Sequence, residues 1–168
     1  MDKIKKILAP TDLSELSRTG IRYALDLGRM VGAEVTIYHV INHGELIDYG
    51  EETQERLTIN YTRHLPQQLM ERFRIALARF LKDNFSDLLP LVDTREKVEI
   101  GKPDKTIVDL AKREGASLIV MSTHGRTGLA HVLVGSVTEK VVRNAGCPVL
   151  SIHPDEEQRA VQMATALG

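Results

Sequence analysis

The chain has 168 residues, of which 42% are hydrophobic and 27% charged, and its formal net charge is -1. That length holds one compact domain with a core of its own, and the balance excludes both a disordered chain and a membrane-embedded one. A near-zero charge without a basic stripe argues against a nucleic-acid partner.

The opening residues MDKIKKI lack the apolar stretch of a signal peptide, and no later run approaches a membrane-spanning length, so a cytoplasmic protein without a membrane partner is expected. Ile4 to Ala9 predicts a first strand, and Ile21, Ala24, Leu25, Gly28 and Val31 recur at helical spacing after it. Gly32 supplies the helix stop, and the β-branched run Glu34 to Ile41 predicts a second strand. A polar stretch from Asn42 to about Glu55 reads as a loop. A helix follows, started or bent by Pro66, with Leu69, Phe73, Ala76, Leu77 and Phe80 on one face.

Val92 to Ile100 alternates but is strongly polar, which suits a strand near one side of a sheet. Pro103 fits a helix first turn, Ile107, Leu110 and Ala111 form that helix's inner face, and Gly115 ends it. Ala116 to Met121 reads as a buried strand. Val137, Val141 and Ala145 then line a last helix, with Gly146 as its stop, and Cys147 to Ile152 reads as a fifth strand. Cys147, the single cysteine, reads as a small buried apolar residue.

This alternation specifies an α/β fold, a single doubly wound domain with a five-stranded mostly parallel sheet over residues 1–154, and a tail at 155–168 that is a docked helix or a frayed end. Such sheets bind ligands beyond the carboxyl ends of their strands, where strand order reverses. The loops after strands one, two and four hold Pro10-Thr11-Asp12, Val40-Ile41-Asn42 and STHGRTGLAHVLVGS, residues Ser122 to Ser136.

That last loop has two readings. Glycines at 125 and 135, before a helix, would let backbone N–H groups approach a phosphate, with Arg126 and His124 adding charge and hydrogen bonds. An ordinary connection in which Ser136 caps the helix has the same residues. Neither a Walker loop nor the dinucleotide fingerprint is present. Asp12 is likewise open: a helix cap reciprocated by Glu15, or a carboxylate accepting from a ribose hydroxyl or an adenine amino group. His39 reads as structural, and no histidine pair has metal spacing. A receiver domain would need an acceptor aspartate after strand three, where this chain has Ile100-Gly101-Lys102.

ILAPTDLSELS, YHVIN, EIGKPDKTIVDLA and LIVMSTHGRTGLAHVLVGSVTEKVVRNAGCPVLSI together resemble the universal stress protein family from about Lys3 to His153. The signature of that family's nucleotide-binding branch is G-x-x-G, nine residues, then G followed by Ser or Thr. Gly125, the nine residues Arg126 to Val134, and Gly135-Ser136 match it, whereas Ser122 stands at the first glycine position. A positive φ there would disfavour serine.

The resemblance implies an adenine nucleotide alpha-hydrolase-like fold and an ATP, ADP or AMP ligand, with Mg2+ or Mn2+ as an accompanying cation. By the same resemblance Pro10, Thr11 and Asp12 touch the adenosine, Val40 the adenine, and Met121 with Ser122 the ribose. His124, Gly125, Arg126, Gly135, Ser136, Val137 and Thr138 surround the phosphates. A homodimer through Val149, Leu150, Ser151 and Ile152 is also implied. No residue is placed by sequence to activate water, so a regulatory nucleotide is expected rather than fast hydrolysis. Slow hydrolysis or self-phosphorylation, and a nucleotide-independent adaptor using Asn42 to Glu55 to dock a protein, are the alternatives.

Overall fold

The computed structural model describes residues 3–52, 65–123 and 134–153. Five strands, β1 Lys6–Thr11, β2 Glu34–Ile41, β3 Thr94–Ile100, β4 Leu118–Ser122 and β5 Val149–Ile152, form one sheet in the order β3-β2-β1-β4-β5. Every pairing is parallel. The helices are α1 Arg18–Val31, α2 His43–Glu52, α3 Leu65–Phe85, α4 Pro103–Glu114 and α5 Ser136–Asn144.

Strand periodicity sorts the apolar residues into two cores. Ile7 and Ala9 of β1, Val35, Ile37 and Ile41 of β2, and Leu118 and Val120 of β4 pack with Ile21, Ala24 and Leu25 of α1 and Leu77, Leu81 and Phe85 of α3. The intervening residues, Leu8, Tyr38, Val40, Ile119 and Met121, pack with Ile107, Leu110 and Ala111 of α4 and Val141 of α5. Both faces of the sheet are therefore covered, as its uninterrupted apolar strands require.

Gly32 and Gly115 end α1 and α4 in the left-handed conformation, φ 67° and 66°, as their positions predict. Gly146 does not serve α5 in that way. That helix stops because Ala145 is extended, with φ -64° and ψ 139°. Its neighbour Cys147 is half-buried against the α4–α5 core, where burial pushes the thiol pKa up.

The segment read as a loop after β2 is instead helical over His43–Glu52. Asn42 Oδ1 accepts from the Glu45 N–H at 3.1 Å, while Glu45 Oε2 accepts from the Asn42 N–H at 2.8 Å, a reciprocal cap that starts α2. The polar strand β3 does lie at an edge, tied down by Arg95–Glu34, Lys97–Glu114 and Arg113–Glu99 pairs. No helix among the described residues is long and apolar enough to cross a membrane. The tail 155–168 lies outside the described residues.

Candidate functional site

β1 and β4 pair only at Ile7–Leu118 and Leu8–Ile119. Beyond Leu8 they part, and Pro10 brings no N–H to a ladder that ends there. The connection from β1 runs to one side of the sheet and that from β4 to the other, so the gap is the point where strand order reverses.

A cavity of about 300 Å³ opens in this gap, the lower end of the volumes in which proteins hold small molecules. Pro10, Thr11, Asp12, Val40, Met121, Ser122, Gly135, Ser136, Val137 and Thr138 all line it. His124, Gly125 and Arg126 lie outside the described residues. Eight further residues line it that were not among the expected ligand contacts: Ser17, Tyr38, His39, Asn42, Glu45, Pro103, Ile107 and Thr123, of which Asn42 and Thr123 lie in the loops expected to border a ligand.

The floor of the cavity is a fixed turn. Ser17 Oγ donates to the Ser14 carbonyl at 2.8 Å, so the 2.8 Å contact between Thr11 and Ser17 hydroxyls has Thr11 as donor, and Thr11 Oγ1 accepts from the Leu13 N–H at 3.0 Å. Asp12 Oδ1 accepts from the Ser14 N–H and hydroxyl at 3.1 and 2.6 Å. Leu13 takes a positive φ of 63°, and its side chain packs on the α1–α3 core. That packing offsets a conformation unfavourable for leucine.

Asp12 therefore braces the turn and does not cap a helix. Ser14 is the cap of the 3-10 turn that leads into α1, and Glu15 pairs with Arg18 instead of reaching back.

Apolar walls come from Val40, Ile107 and Met121. Tyr38 also lines the space, but its hydroxyl donates to Glu99 at 3.0 Å, and burial with that carboxylate holds its pKa far above the ordinary tyrosine range.

At the opposite end stands the N-terminus of α5. Gly135 is the N-cap and offers no side chain, and its own N–H donates to the Thr123 carbonyl at 2.6 Å. Glu139 N–H is the first to bond back into the helix, to Gly135 at 2.9 Å. Among the described residues no acceptor takes the Ser136, Val137 and Thr138 N–H groups, the orphan donors of a helix start, and the helix dipole adds positive potential there. Thr138 is anchored below them, its hydroxyl donating to the Ser122 carbonyl at 3.0 Å. Ser136 is the first helical residue rather than the cap.

Ser122 keeps a strand conformation; Leu13 is the positive-φ non-glycine among the described residues. Its hydroxyl accepts from the Gly20 N–H at 3.0 Å, tying β4 to the first turn of α1. Serine in the glycine position thus costs no backbone strain, and its backbone still borders the cavity.

The sequence model of the universal stress protein family matches residues 3–153. This chain belongs to that family. The universal stress proteins MJ0531 and MJ0577 of Methanocaldococcus jannaschii are 29% and 30% identical to it, over 92% and 88% of this chain and 85% and 94% of theirs. A solved structure of MJ0577 matches with a TM-score of 0.68 at 29% identity, covering 92% of this chain and 99% of that one. A universal stress protein crystallised in complex with cAMP shares the fold at 20% identity and a TM-score of 0.57, covering 92% and 100% of the two chains. The sheet and helices of this universal stress protein form the adenine nucleotide alpha-hydrolase-like fold.

Proposed function

We propose that this universal stress protein binds an adenine nucleotide, ATP foremost with ADP and AMP as smaller alternatives, as a regulatory ligand in a cytoplasmic stress response. The observation that carries the reading is the cavity itself, with an apolar slot, a hydroxyl- and carboxylate-bearing turn and a helix N-terminus arranged around one space. The base would lie against Val40, Ile107 and Met121, and the ribose beside Asp12. The phosphates would lie at the Ser136 to Thr138 amides, where backbone donors and dipole favour an anion. His124, Gly125 and Arg126 would complete the phosphate end.

A divalent cation would arrive on the phosphates, with the Ser136 hydroxyl as a neighbouring ligand. No cluster of three metal-ligating side chains occurs among the described residues. Of the lining carboxylates, Asp12 Oδ1 braces Ser14, and Glu45 Oε2 holds the α2 cap. Neither is arranged to activate a water, which favours a ligand that is held over one that is turned over. Ser122 packs without strain, which removes one motivation of the adaptor reading, and the described part of the Asn42 to Glu55 stretch is the helix His43–Glu52 rather than a loop. Calorimetry with ATP and AMP, with and without magnesium, is expected to give saturable heat for both. No heat for either at near-millimolar protein would overturn the reading.

The edge of β5, unpaired among the described residues, is the proposed homodimer surface. Leu150 and Ser151 are exposed, and Val142 of the adjacent α5 is 52% exposed, so an antiparallel copy would cover ladder and side chains together. Sedimentation is expected to give a dimer mass; a monomer mass independent of concentration would contradict it.

A further inference from the structure

One flank of α1 is apolar out to solvent. Arg22 pairs with Asp87, just past α3, at 3.2 Å and lies over the Phe85 ring, so its flank of the helix faces α3. On the opposite flank, at helical spacing, stand Tyr23, Leu27, Met30 and Val31. Leu27 and Val31 are half-buried against the core, whereas Tyr23 is 54% and Met30 77% exposed.

The sheet continues past that flank. In this helical layer α3 packs over β2 and β3 and α1 over β1 and β4, which leaves β5 at the far end, where α1 still touches it. Ile152 packs on the same core, and strand alternation puts Leu150, 38% exposed, on that face with it. Exposed apolar side chains scattered singly need no cover, but these form one strip from α1 to an edge strand.

The chain itself carries a fitting occupant. Residues 155–168, outside the described residues, read DEEQRAVQMATALG. Ala160, Met163, Ala164 and Leu167 fall at i, i+3, i+4 and i+7, one face of a helix, with Gln158, Gln162 and Thr165 opposite. Pro154 and the three acidic residues after it suit a helix start. A helix over 155–167 would run about 20 Å, close to the length of the 14-residue α1. The parallel strand β5 ends at the edge of the sheet where α1 begins, so a helix turning back there would run beside α1.

We propose that residues 155–168 dock as an amphipathic helix on the Tyr23–Met30 flank of α1 and on Leu150, completing the helical layer over β5. Ala160, Met163, Ala164 and Leu167 face the strip, and the two alanines let the helices approach. The tail covers one face of β5 and leaves its backbone edge open to an antiparallel copy. A helix this short is marginal alone in water, so its order reports the docking. The contact requires no nucleotide, and its failure leaves the cavity reading untouched.

The test is hydrogen exchange of the tail amides, with side-chain NOEs, in the full chain and its Met30→Glu and Met163→Glu variants. Glutamate is a good helix former, so each change removes apolar contact while keeping helical propensity. Wild-type tail amides are expected to exchange at least about tenfold more slowly than in an unstructured chain, at a rate independent of protein concentration. Cross-peaks should join Tyr23 or Met30 to Met163 or Leu167 within one molecule. In either variant the protection should fall to within about twofold of the unstructured rate, while the β1 and β4 amides keep theirs. A wild-type tail exchanging at the unstructured rate would overturn the proposal, as would protection that survives either variant. Cross-peaks found only between labelled and unlabelled chains in a mixture would also overturn it, and would assign the strip to a second copy.

Discussion

Gly20→Ala is expected to destabilise the fold by about 3 kcal/mol, read as a lower denaturant midpoint at unchanged slope. The sign is opposite to the usual one, because alanine in place of a helical glycine ordinarily gains up to about 1 kcal/mol. Here a Cβ would stand 2.6 Å from the Ser122 nitrogen and 2.9 Å from the Met121 carbonyl carbon. Both are backbone atoms of an inner strand, so neither can swing aside, and α1 must lift away. The Gly20 N–H bond to Ser122 Oγ is lost with it. Gly28→Ala is the comparison: its Cβ would stand 2.5 Å from a methyl of the buried Val35 but 3.3 Å from the nearest backbone atom, Ala33 O, so the strain falls on one side chain rather than on strand backbone. It should cost less. A Gly20→Ala protein as stable as wild type would show that α1 and β4 are not in the close contact described.

Ser136→Asp is expected to separate stability from binding. An acidic side chain in the first turn of α5 suits the helix dipole and should stabilise the fold by about 0.5 kcal/mol. The same charge would face the nucleotide phosphates across a few ångströms, a repulsion of about 3 kcal/mol, or about a hundredfold in Kd for ATP. Adenosine, which brings no phosphate, should keep its affinity. Parallel titrations of ATP and adenosine read the difference. Equal losses for both ligands would move the phosphates away from α5.

Much of this was readable from local pattern. The parallel sheet is buried on both faces, so β1, β2 and β4 announce themselves as continuous apolar runs, and Gly32, Pro103 and Gly115 punctuate the helices between them. Topology brings Pro10 to Asp12 and Val40 to the edge where the cavity opens, whereas Met121 was named only through the family resemblance. What escaped depends on distant partners or on weak amphipathicity. The helix α2 has no strong apolar face, and its start is written only in the Asn42–Glu45 spacing, a signal the sequence reading passed over. Ser122 could not be assigned because the N–H it accepts belongs to Gly20, 102 residues earlier. His39 was read as structural, and its partners Thr11 and Phe73 come from two other elements. The stop of α5 was misplaced because extended Ala145 ends the helix without help from the glycine beside it.

The central claim is that one adenine nucleotide spans the gap between β1 and β4, from the Val40 wall to the start of α5. Amide 1H–15N spectra of the full chain, recorded as AMP and then ATP are added, test it directly. The largest shifts should fall on Thr11, Asp12, Val40, Ser122 and the Ser136 to Thr138 amides, with the α5 amides moving further for ATP than for AMP. Saturating ATP that leaves those amides unmoved, or that shifts only residues along the β3 edge, would contradict the account.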